Sequence, residues 1–543
     1  MADETLVVRG GRLIDGTGRP PVEDAVIVIE KGRFKAVGRA GEVAVPPGAE
    51  AIDATGRTVL PGFIDGHGHL EDFHGELYLH LGITTCATIE LYQDGPWTRA
   101  QKEGTAYGKI HGPRIWMSGR AIGSIRDEHE AFGSRTSRGN IIVTTPEEVR
   151  AAVRRKKALG CDIVKLNEFL PVDLVRAVVE EAHGLDMPVA AHSMDAIESS
   201  RAGVDAIEHI WAVGYSSILY PPSRRALARD RLGGKIEQEI AGSYYQTENY
   251  GPVIEAMVEH GVAWTPTIAK WLRPLSPSAK RFRARENEIL DDPAANLPPA
   301  VRAVTDNAYD KLYTRYTPEQ LERARIGYDK ANEFIRRFVE AGGILKEGSD
   351  PPRGMAAVLM HQALVMDVEA GVPPLTAIRA ATLNVARTFR KDRDYGSVEP
   401  GKVADLSIVE GDPLADIWAT QNVKAVIMDG KVVDIAFKRY RNPIPSFYSY
   451  QSLPTDIEIS PRFVIEGSGP TILKVRGRGI WPFHKVMLNG RPLRTSFVSR
   501  EALEASIPPE AIPTAGTYIV TLKSEGEPVP ESNRAHLIVG FRG

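Results

Sequence analysis

Short apolar runs alternate with amphipathic stretches through the central part of the chain. Eight runs of β-forming residues are candidate strands, at 59–67, 83–90, 114–122, 162–167, 187–192, 204–209, 262–268 and 343–350. Helical periodicity separates most of them, as in 146–160 and 172–185. Repeated β-then-α units predict a parallel sheet, and eight of them over 59–395 predict a closed (β/α)8, TIM-like barrel in an α/β protein.

Both flanks of this region have a different pattern. Residues 1–58 contain short alternating strands separated by Gly and Pro, and residues 396–440 repeat that pattern with Asp-Gly and Gly-Asp turns. We expect the two segments to pair as one composite β-sandwich domain. Residues 453–543 contain further strand-length runs and an Asn-Gly turn, which predict a separate small β-sandwich.

Composition narrows the classes of function. Hydrophobic residues make up 43% of the chain, charged residues 25%, and the net charge is -3, so neither a nucleic acid nor an anionic membrane is an expected partner. The sequence lacks the pattern of a signal peptide and of a membrane span. We therefore expect a cytoplasmic protein, unless a native leader was removed. Two cysteines, Cys86 and Cys161, supply neither a disulfide framework nor a zinc–thiolate site.

Polar residues end several of the candidate strands. In LPGFIDGHGH, residues 60–69, His67 and His69 are two positions apart and would share one face of a strand. Four further polar residues lie in or at the end of other candidate strands: Lys165, His192, His209 and Asp350. Because the carboxyl ends of barrel strands meet at one mouth, these side chains are expected to converge. Imidazole and carboxylate ligands suit Zn2+ and related ions.

Each of these residues also has a structural explanation. The histidines could be hydrogen-bonded core or surface residues, and Asp350 could cap the segment that follows it. Lys165, between Val164 and Leu166, could extend its amine to the barrel mouth. Alternatively, burial beside cations could keep this amine neutral, so that it captures carbon dioxide and bridges two metal ions as a carbamate. The coincidence of six such residues at strand ends favours the metal site.

With these motifs identified, the sequence resembles the amidohydrolase superfamily and, within it, the imidazolonepropionase-like metal-dependent hydrolases. The resemblance covers about 5–435, and the matching segments are VLPGFIDGHGH, VAAHSMDA, AIEHIW, GSDPP, AIRAATLNVART and GSVEPGKVADLSIVEGDPLADI. It implies that the N-terminal strands and 396–435 form one β domain beside the barrel. The C-terminal segment separately resembles an immunoglobulin-like IPT/TIG domain, which is not a usual part of the family.

The resemblance implies a role for each candidate ligand. His67, His69 and Asp350 would hold one of two divalent ions, most simply Zn2+. His192 and His209 would hold the other, and Lys165, as N6-carboxylysine, would bridge them. Deaminase-like relatives usually carry a glutamate three residues after the histidine of the fifth strand, where this chain has Asp195. That departure weakens the case for a deaminase.

The function expected from the resemblance is hydrolysis of a carbon–nitrogen bond. A metal-bridging hydroxide would attack the amide of a dipeptide or N-acyl amino acid, and Asp350 would take up its proton and return it to the leaving nitrogen. The alternative is a lactone, carbamate, urea or phosphotriester hydrolase on the same metal site, because loops select the substrate. A more remote alternative is a non-catalytic assembly protein.

A substrate that ends in a carboxylate needs a cationic or hydroxyl anchor near the metals. Candidates just beyond the strand ends are Arg126, His129, Tyr215, Tyr220 and Arg353, although each could be an ordinary loop residue. Trp211 and Trp271 could provide an apolar wall or could simply pack in the core. The expected partners are a small-molecule substrate and, separately, further copies of the chain in a homo-oligomer.

Overall fold

The computed structural model describes residues 5–89, 95–124, 141–232, 235–444, 455–478, 480, 484–499, 501–524 and 535–541. Its contacts divide the chain into two compact units. The first comprises Met1–Leu297 and Ala308–Ile444, and the second comprises Pro298–Asn307 and Pro445–Gly543. Each unit is described by itself below.

Helices account for much of the chain before residue 390. They are His74–His80, Gly95–Ala106, Pro146–Leu159, Val172–Gly184, Ala196–Arg201, Ile210–Ser216, Pro221–Leu232, Gln238–Ala241, Tyr250–Glu259, Ile268–Leu272, Ala279–Asp291, Pro299–Asp310, Pro318–Glu340, Ala356–Glu369, Pro374–Ala380 and Leu383–Thr388. The predicted helices at 146–160 and 172–185 are confirmed. Among the described residues, none of the helices has the length and apolar character that a membrane crossing requires.

The helix Pro146–Leu159 illustrates how local sequence sets such an element. Thr145 caps its first turn by accepting from the Glu148 backbone N–H, and the Glu148 carboxylate reaches back to the Thr145 N–H. Gly160 ends the helix in the left-handed conformation, with φ at 88°. Val149, Ala152 and Val153 are buried, so one apolar face packs inward.

Parallel strands form the central part of the first unit. One sheet contains Phe63–Gly68, Ile83–Thr88 and Arg114–Met117, and a second contains Ile122–Gly123, Ile141–Ile142, Val164–Leu166, Val189–His192, Ala206–Glu208, Ala263–Thr265 and Ile344–Leu345. Backbone hydrogen bonds connect the two sheets at both ends. Asp162 N donates to Met117 O at 2.7 Å, and Gly66 N donates to Glu347 O at 2.9 Å. Consequently the last strand lies beside the first, and Asp350 N donates to His67 O at 2.7 Å.

Two of the predicted strands are interrupted. The run 59–67 divides at Gly62 into Arg57–Pro61, which belongs to a different sheet, and Phe63–Gly68. The run 114–122 divides into Arg114–Met117 and Ile122–Gly123. Between these two pieces, the carbonyls of Ser118 and Arg120 accept from the buried amine of Lys156 instead of joining the ladder. Lys156, from the helix Pro146–Leu159, therefore binds the irregular segment between the two strands.

Strands from both flanks share one antiparallel-rich sheet in the first unit. Its members are Leu6–Leu13, Val22–Glu30, Arg33–Arg39, Glu50–Asp53, Arg57–Pro61, Leu406–Glu410, Val423–Met428 and Lys431–Val433. The join is made by Arg57–Pro61 and Leu406–Glu410, which pair antiparallel with Val59 opposite Ile408. Apolar residues from the two flanks pack in one core, including Val8, Ile27, Leu406 and Ile427. Because Phe63–Gly68 follows directly, this sheet sets where the first parallel strand begins.

The second unit contains two β-sheets. One is formed by Thr455–Ser460, Thr471–Arg478, Arg494–Ser499 and Ala502–Ile507, and the other by Phe463–Ile465, His484–Leu488, Arg491–Pro492, Gly516–Ser524 and Ala535–Gly540. Alternate residues of both sheets share one apolar core, with Leu473, Leu503, Val520 and Leu537 fully buried. Two sheets that pack through alternating inward residues have the architecture of a sandwich.

Candidate functional site

The glycines around the two histidines of LPGFIDGHGH permit a close approach of the first and last parallel strands. A Cβ on Gly66 would lie 2.5 Å from Glu347 O, and one on Gly348 would lie 2.5 Å from His67 Cβ. Neither position has room for a side chain, because backbone and Cβ atoms cannot move aside as a flexible side-chain tip can. Strand ends packed this closely bring His67 and Asp350 side by side.

His67, His69 and Asp350 form the first cluster of potential metal ligands. Nε2 of His69 lies 3.0 Å from Asp350 Oδ1, and Nε2 of His67 lies 3.7 Å from the same oxygen. The His67 side chain is fully buried and that of Asp350 nearly so. One ligand atom from each residue lies within 4.8 Å of the others. These three residues can hold one cation together.

His192 and His209 form a second cluster that also includes His67. The Nε2 atoms of His192 and His209 are 2.7 Å apart. Thr267 Oγ1 lies 2.7 Å from His209 Nδ1 and donates its own proton to Pro266 O at 2.8 Å. The hydroxyl must therefore accept from His209 Nδ1–H, which leaves the lone pair of His209 on Nε2, where a metal ion can use it.

Lys165 is fully buried in the strand Val164–Leu166, and its Nζ has no hydrogen-bond partner among the described residues. Burial lowers the pKa of this amine to about 7, although Glu208 and Asp350 oppose that shift. The charge of Lys165 in turn lowers the pKa values of His67, His192 and His209, so the amine lies within electrostatic range of all three rings. A neutral amine at this position is suited to carbamate formation.

Electrostatics favour the protonation states that a metal site requires. Burial lowers the pKa of His67 to about 4 and holds those of His192 and His209 well below the usual range, so all three rings are neutral near pH 7. Burial raises the pKa of Asp350, but Lys270 and the two neighbouring histidines lower it further, so the carboxylate remains ionised. Neutral imidazoles and an ionised carboxylate are metal-binding forms.

A buried ion pair contacts His67 at Nδ1, the ring nitrogen that does not face Asp350. Glu208 Oε2 lies 2.7 Å from His67 Nδ1, and Lys346 Nζ lies 3.3 Å from Glu208 Oε1. All three side chains are fully buried. Sequence analysis did not identify Glu208 or Lys346. Both are charged residues inside candidate strands of the sequence, at 204–209 and 343–350, and this signal, which identified Lys165, would have found them.

Asp65 fixes the backbone at the same strand end. Its Oδ1 accepts from His67 N at 3.1 Å and from Ser349 N at 3.0 Å, and its Oδ2 accepts from Tyr78 Oη at 2.9 Å. The carboxylate therefore ties the first strand to the last across the site. Sequence analysis also missed this role, which depends on two segments that are distant along the chain.

Lys270 is a further residue that the sequence did not indicate. It lies on the short helix Ile268–Leu272, which follows the strand Ala263–Thr265. Its Nζ lies 2.9 Å from Asp350 Oδ1, the oxygen that also faces His69 and His67. Thr267, at the start of this helix, has a φ of 50°, which places its hydroxyl against His209.

The residues present fit a metal centre. Three buried atoms that face or adjoin the cluster have no hydrogen-bond partner among the described residues: His67 Nε2, His192 Nδ1 and Lys165 Nζ. Leaving such atoms unpaired in the interior costs about 1–3 kcal/mol each. Imidazole nitrogens and a carboxylate are donors that Zn2+ accepts. A cation between them would give His67 Nε2 the partner that it lacks.

The structure describes three of the five predicted substrate contacts. Arg126 and His129 are outside the described residues. Tyr215 is buried and its hydroxyl accepts from Arg231 Nε, whereas Tyr220 is 66% exposed. Arg353 lies 3.8 Å over the ring of Trp271, and its guanidinium is 3.6 Å from Glu239.

Trp211 and Trp271 are among the residues that line a small cavity. The ring centroid of Trp211 is 4.9 Å from that of His209 and 5.2 Å from that of His192. Trp211 therefore contacts both the cavity and two of the candidate ligands.

Asp195 has a structural role at the start of a helix. Its Oδ1 accepts from Glu198 N at 3.2 Å and so caps the helix Ala196–Arg201. Its other oxygen forms an ion pair with Arg224. The side chain is thus engaged away from the histidine cluster.

Comparisons with known proteins agree on one family. The model of the amidohydrolase family matches residues 58–433. An adenine deaminase from Rubrobacter xylanophilus is 25% identical over 433 residues, which cover 78% of this chain and 57% of that protein. A dihydroorotase from Geobacter metallireducens is 25% identical over 424 residues, which cover 75% of this chain and 89% of that protein. The chain thus spans little more than half the length of the adenine deaminases it matches.

Solved structures show the same fold. A Xaa-Pro dipeptidase with bound methionine has a TM-score of 0.57 at 22% identity, covering 79% of this chain and all of that one. A structure described as a putative prolidase from Bifidobacterium longum has a TM-score of 0.57 at 24% identity, and the match covers 81% of this chain and 96% of that one. Phenylurea hydrolase B has a TM-score of 0.55 at 20% identity, and the match covers 80% of this chain and 97% of that one.

These neighbours, with the family match, imply a TIM barrel that carries additional domains. Members of the family are metal-dependent, and the described residues contain histidine clusters suited to metal binding. Since the family model spans more than half of the sequence and includes both clusters, this chain belongs to the amidohydrolase family.

Proposed function

We propose that this protein is a binuclear metal-dependent amidohydrolase that cleaves the amide bond of a dipeptide or an N-acyl amino acid. The ligand set of the proposal is His67, His69 and Asp350 for one ion, His192 and His209 for the other, and carboxylated Lys165 between them. Zn2+ is the proposed metal because the donors are mainly imidazole nitrogens. The proposal assigns this site to the mouth of a closed eight-stranded barrel.

The observation that carries the proposal is the pair of overlapping clusters around His67. Four imidazoles and a carboxylate, contributed by four segments of the chain, form these clusters. Buried nitrogens of His67 and of Lys165, on a neighbouring strand, have no hydrogen-bond partner among the residues described. A non-catalytic assembly protein has no need for such a set, because its unpaired polar atoms destabilise the fold.

When bound, the metal ions would supply Lewis acidity that activates water and polarises the substrate carbonyl. Asp350 is the proposed proton carrier. Its ionised carboxylate accepts a proton from the attacking water and returns it to the leaving nitrogen, which departs as an amine. One carboxylate can perform both transfers because they are consecutive.

Lys165 is proposed to react with carbon dioxide. Its neutral Nζ attacks the carbon of CO2, the amine loses a proton, and the product is an N-carboxylate whose two oxygens can each face one ion. The lowered pKa of Lys165, about 7, supports this step because only the neutral amine is nucleophilic.

The proposed domain boundaries agree with membership of the amidohydrolase family. We propose 59–395 as the barrel domain, 1–58 with 396–440 as the composite β-sandwich domain, and 453–543 as an immunoglobulin-like domain of the IPT/TIG type. The two packed sheets of the second unit support the last assignment. Cytoplasmic location and homo-oligomerisation stay predictions.

Metal analysis combined with a substrate screen tests the proposed function. We expect two zinc ions per chain after reconstitution in bicarbonate, and turnover of dipeptides or N-acyl amino acids in a panel that also contains lactones, carbamates, ureas and phosphotriesters. His209→Asn should lose metal, whereas His260→Asn should not, because His260 is exposed and its Nδ1 bonds the Ala256 carbonyl of the helix that it follows. A protein that binds no metal contradicts the proposal, and turnover of esters alone contradicts its substrate class.

A further inference from the structure

Among the described residues, Lys270 is the lysine or arginine nearest to the proposed catalytic carboxylate. Its Nζ is 2.9 Å from Asp350 Oδ1, and its side chain is only 12% exposed. Two other cations stand close by. Arg353 faces Glu239 at 3.6 Å, and Arg231 faces Glu168 at 3.5 Å.

The difference between these cations lies in their partners. Glu168 and Glu239 are not proposed metal ligands, so Arg231 and Arg353 keep their counter-ions when metal binds. Within the described part of the chain, Asp350 is the one carboxylate that forms an ion pair with Lys270. A metal ion held by Asp350 would therefore take the counter-ion of Lys270 and leave a largely buried ammonium that needs another anion.

The position of Lys270 suits one kind of anion. In a dipeptide or N-acyl amino acid, the carboxylate carbon is three bonds from the carbonyl carbon that is attacked, a span of less than about 4 Å. An ammonium within hydrogen-bond distance of Asp350 can therefore reach such a carboxylate while the amide faces the ligands. The ring of Trp271 lies 5.3 Å from Lys270 Nζ and covers one side of the ammonium.

We propose that Lys270 binds the α-carboxylate of the substrate's leaving group once metal occupies Asp350, and so selects acyl amino acids over neutral amides. The inference rests on the proposed function, since it specifies the substrate of that same site. It assigns Lys270 a role in binding and leaves proton transfer to Asp350.

Binding of an uncleavable pair of probes tests the inference without turnover. N-methylsulfonyl-L-leucine carries the carboxylate, and its carboxamide does not. Calorimetry on the zinc-loaded protein should show the acid binding about ten- to a hundredfold more tightly than the amide. Lys270→Met should abolish that preference with zinc content unchanged, Lys270→Arg should retain part of it, and the exposed Lys280→Met should retain all of it.

Three results would overturn the inference: equal binding of acid and amide by the wild-type protein, an undiminished preference in Lys270→Met, or loss of zinc from a folded Lys270→Met. The substrate screen keeps this outcome separate from the proposed function. Turnover of an N-acyl amino acid and its amide with equal KM refutes the role of Lys270 alone, whereas no turnover of either class refutes the function.

Discussion

Glu208 holds His67 from behind: its Oε2 lies 2.7 Å from His67 Nδ1, and both side chains are fully buried. Because an ionised carboxylate only accepts, Nδ1 must carry the proton, and the lone pair of His67 is on Nε2, which faces Asp350 at 3.7 Å. Lys346 balances the charge of Glu208. In the proposed metal site, this relationship would leave Nε2 of His67 available to an ion.

Glu208→Gln should weaken metal binding by about ten- to a hundredfold, because an amide can also present a donor to His67 and no longer neutralises Lys346. The uncompensated Lys346 should also lower thermal stability. Chelator competition and thermal melting measure the two effects. Glu180→Gln, at an exposed ion pair, is the control and should change neither. Wild-type metal affinity in Glu208→Gln would refute this role.

Thr267→Val should lower zinc affinity by about tenfold, because the valine cannot accept the proton of His209 Nδ1 and the tautomer is no longer fixed. Valine retains the branched shape of threonine at this residue of positive φ, so backbone strain is matched. Thr267→Ser keeps the hydroxyl and should behave as the wild type. Equal affinities of the Val and Ser variants would show that the hydroxyl has no part in metal binding.

Asp350→Asn should reduce kcat by about a hundredfold or more while the protein stays folded. The φ of Asp350 is 46°, a region that asparagine tolerates, so the backbone needs no change. The amide cannot take up a proton as the carboxylate does. Zinc analysis beside the kinetics separates loss of the base from loss of metal. Unchanged turnover would remove Asp350 from the proton transfer.

Gly348→Ala should destabilise the site, since the new Cβ would lie 2.5 Å from His67 Cβ and the strands cannot separate without breaking their hydrogen bonds. We expect a loss of about 1–3 kcal/mol in the free energy of unfolding, together with weaker zinc binding. Gly251→Ala, in a helix with open space around it, should be neutral or stabilising. Denaturant melts compare the two variants, and equal stability would show that the close approach is not required.

Much of the candidate site was predictable because its proposed ligands follow local patterns. His67, His69, His192, His209 and Asp350 each lie in or next to a candidate strand of the sequence, and parallel strands bring their carboxyl ends to one edge. Lys165 was identified by its charge inside an apolar run. The strand boundaries were less predictable: the division at Gly62 reflects the pairing of Arg57–Pro61 with Leu406–Glu410, which lie far apart in the chain.

The sequence by itself determined the succession of strands and helices, the family, and the residues that can ligate a metal, since these depend on side-chain type and local spacing. Only the tertiary structure decided which nitrogen of His67 and His209 is free, which cation faces Asp350, and how closely the first and last strands approach. These properties arise from contacts such as Glu208 with His67 and Lys270 with Asp350, between segments that fold together from distant parts of the chain.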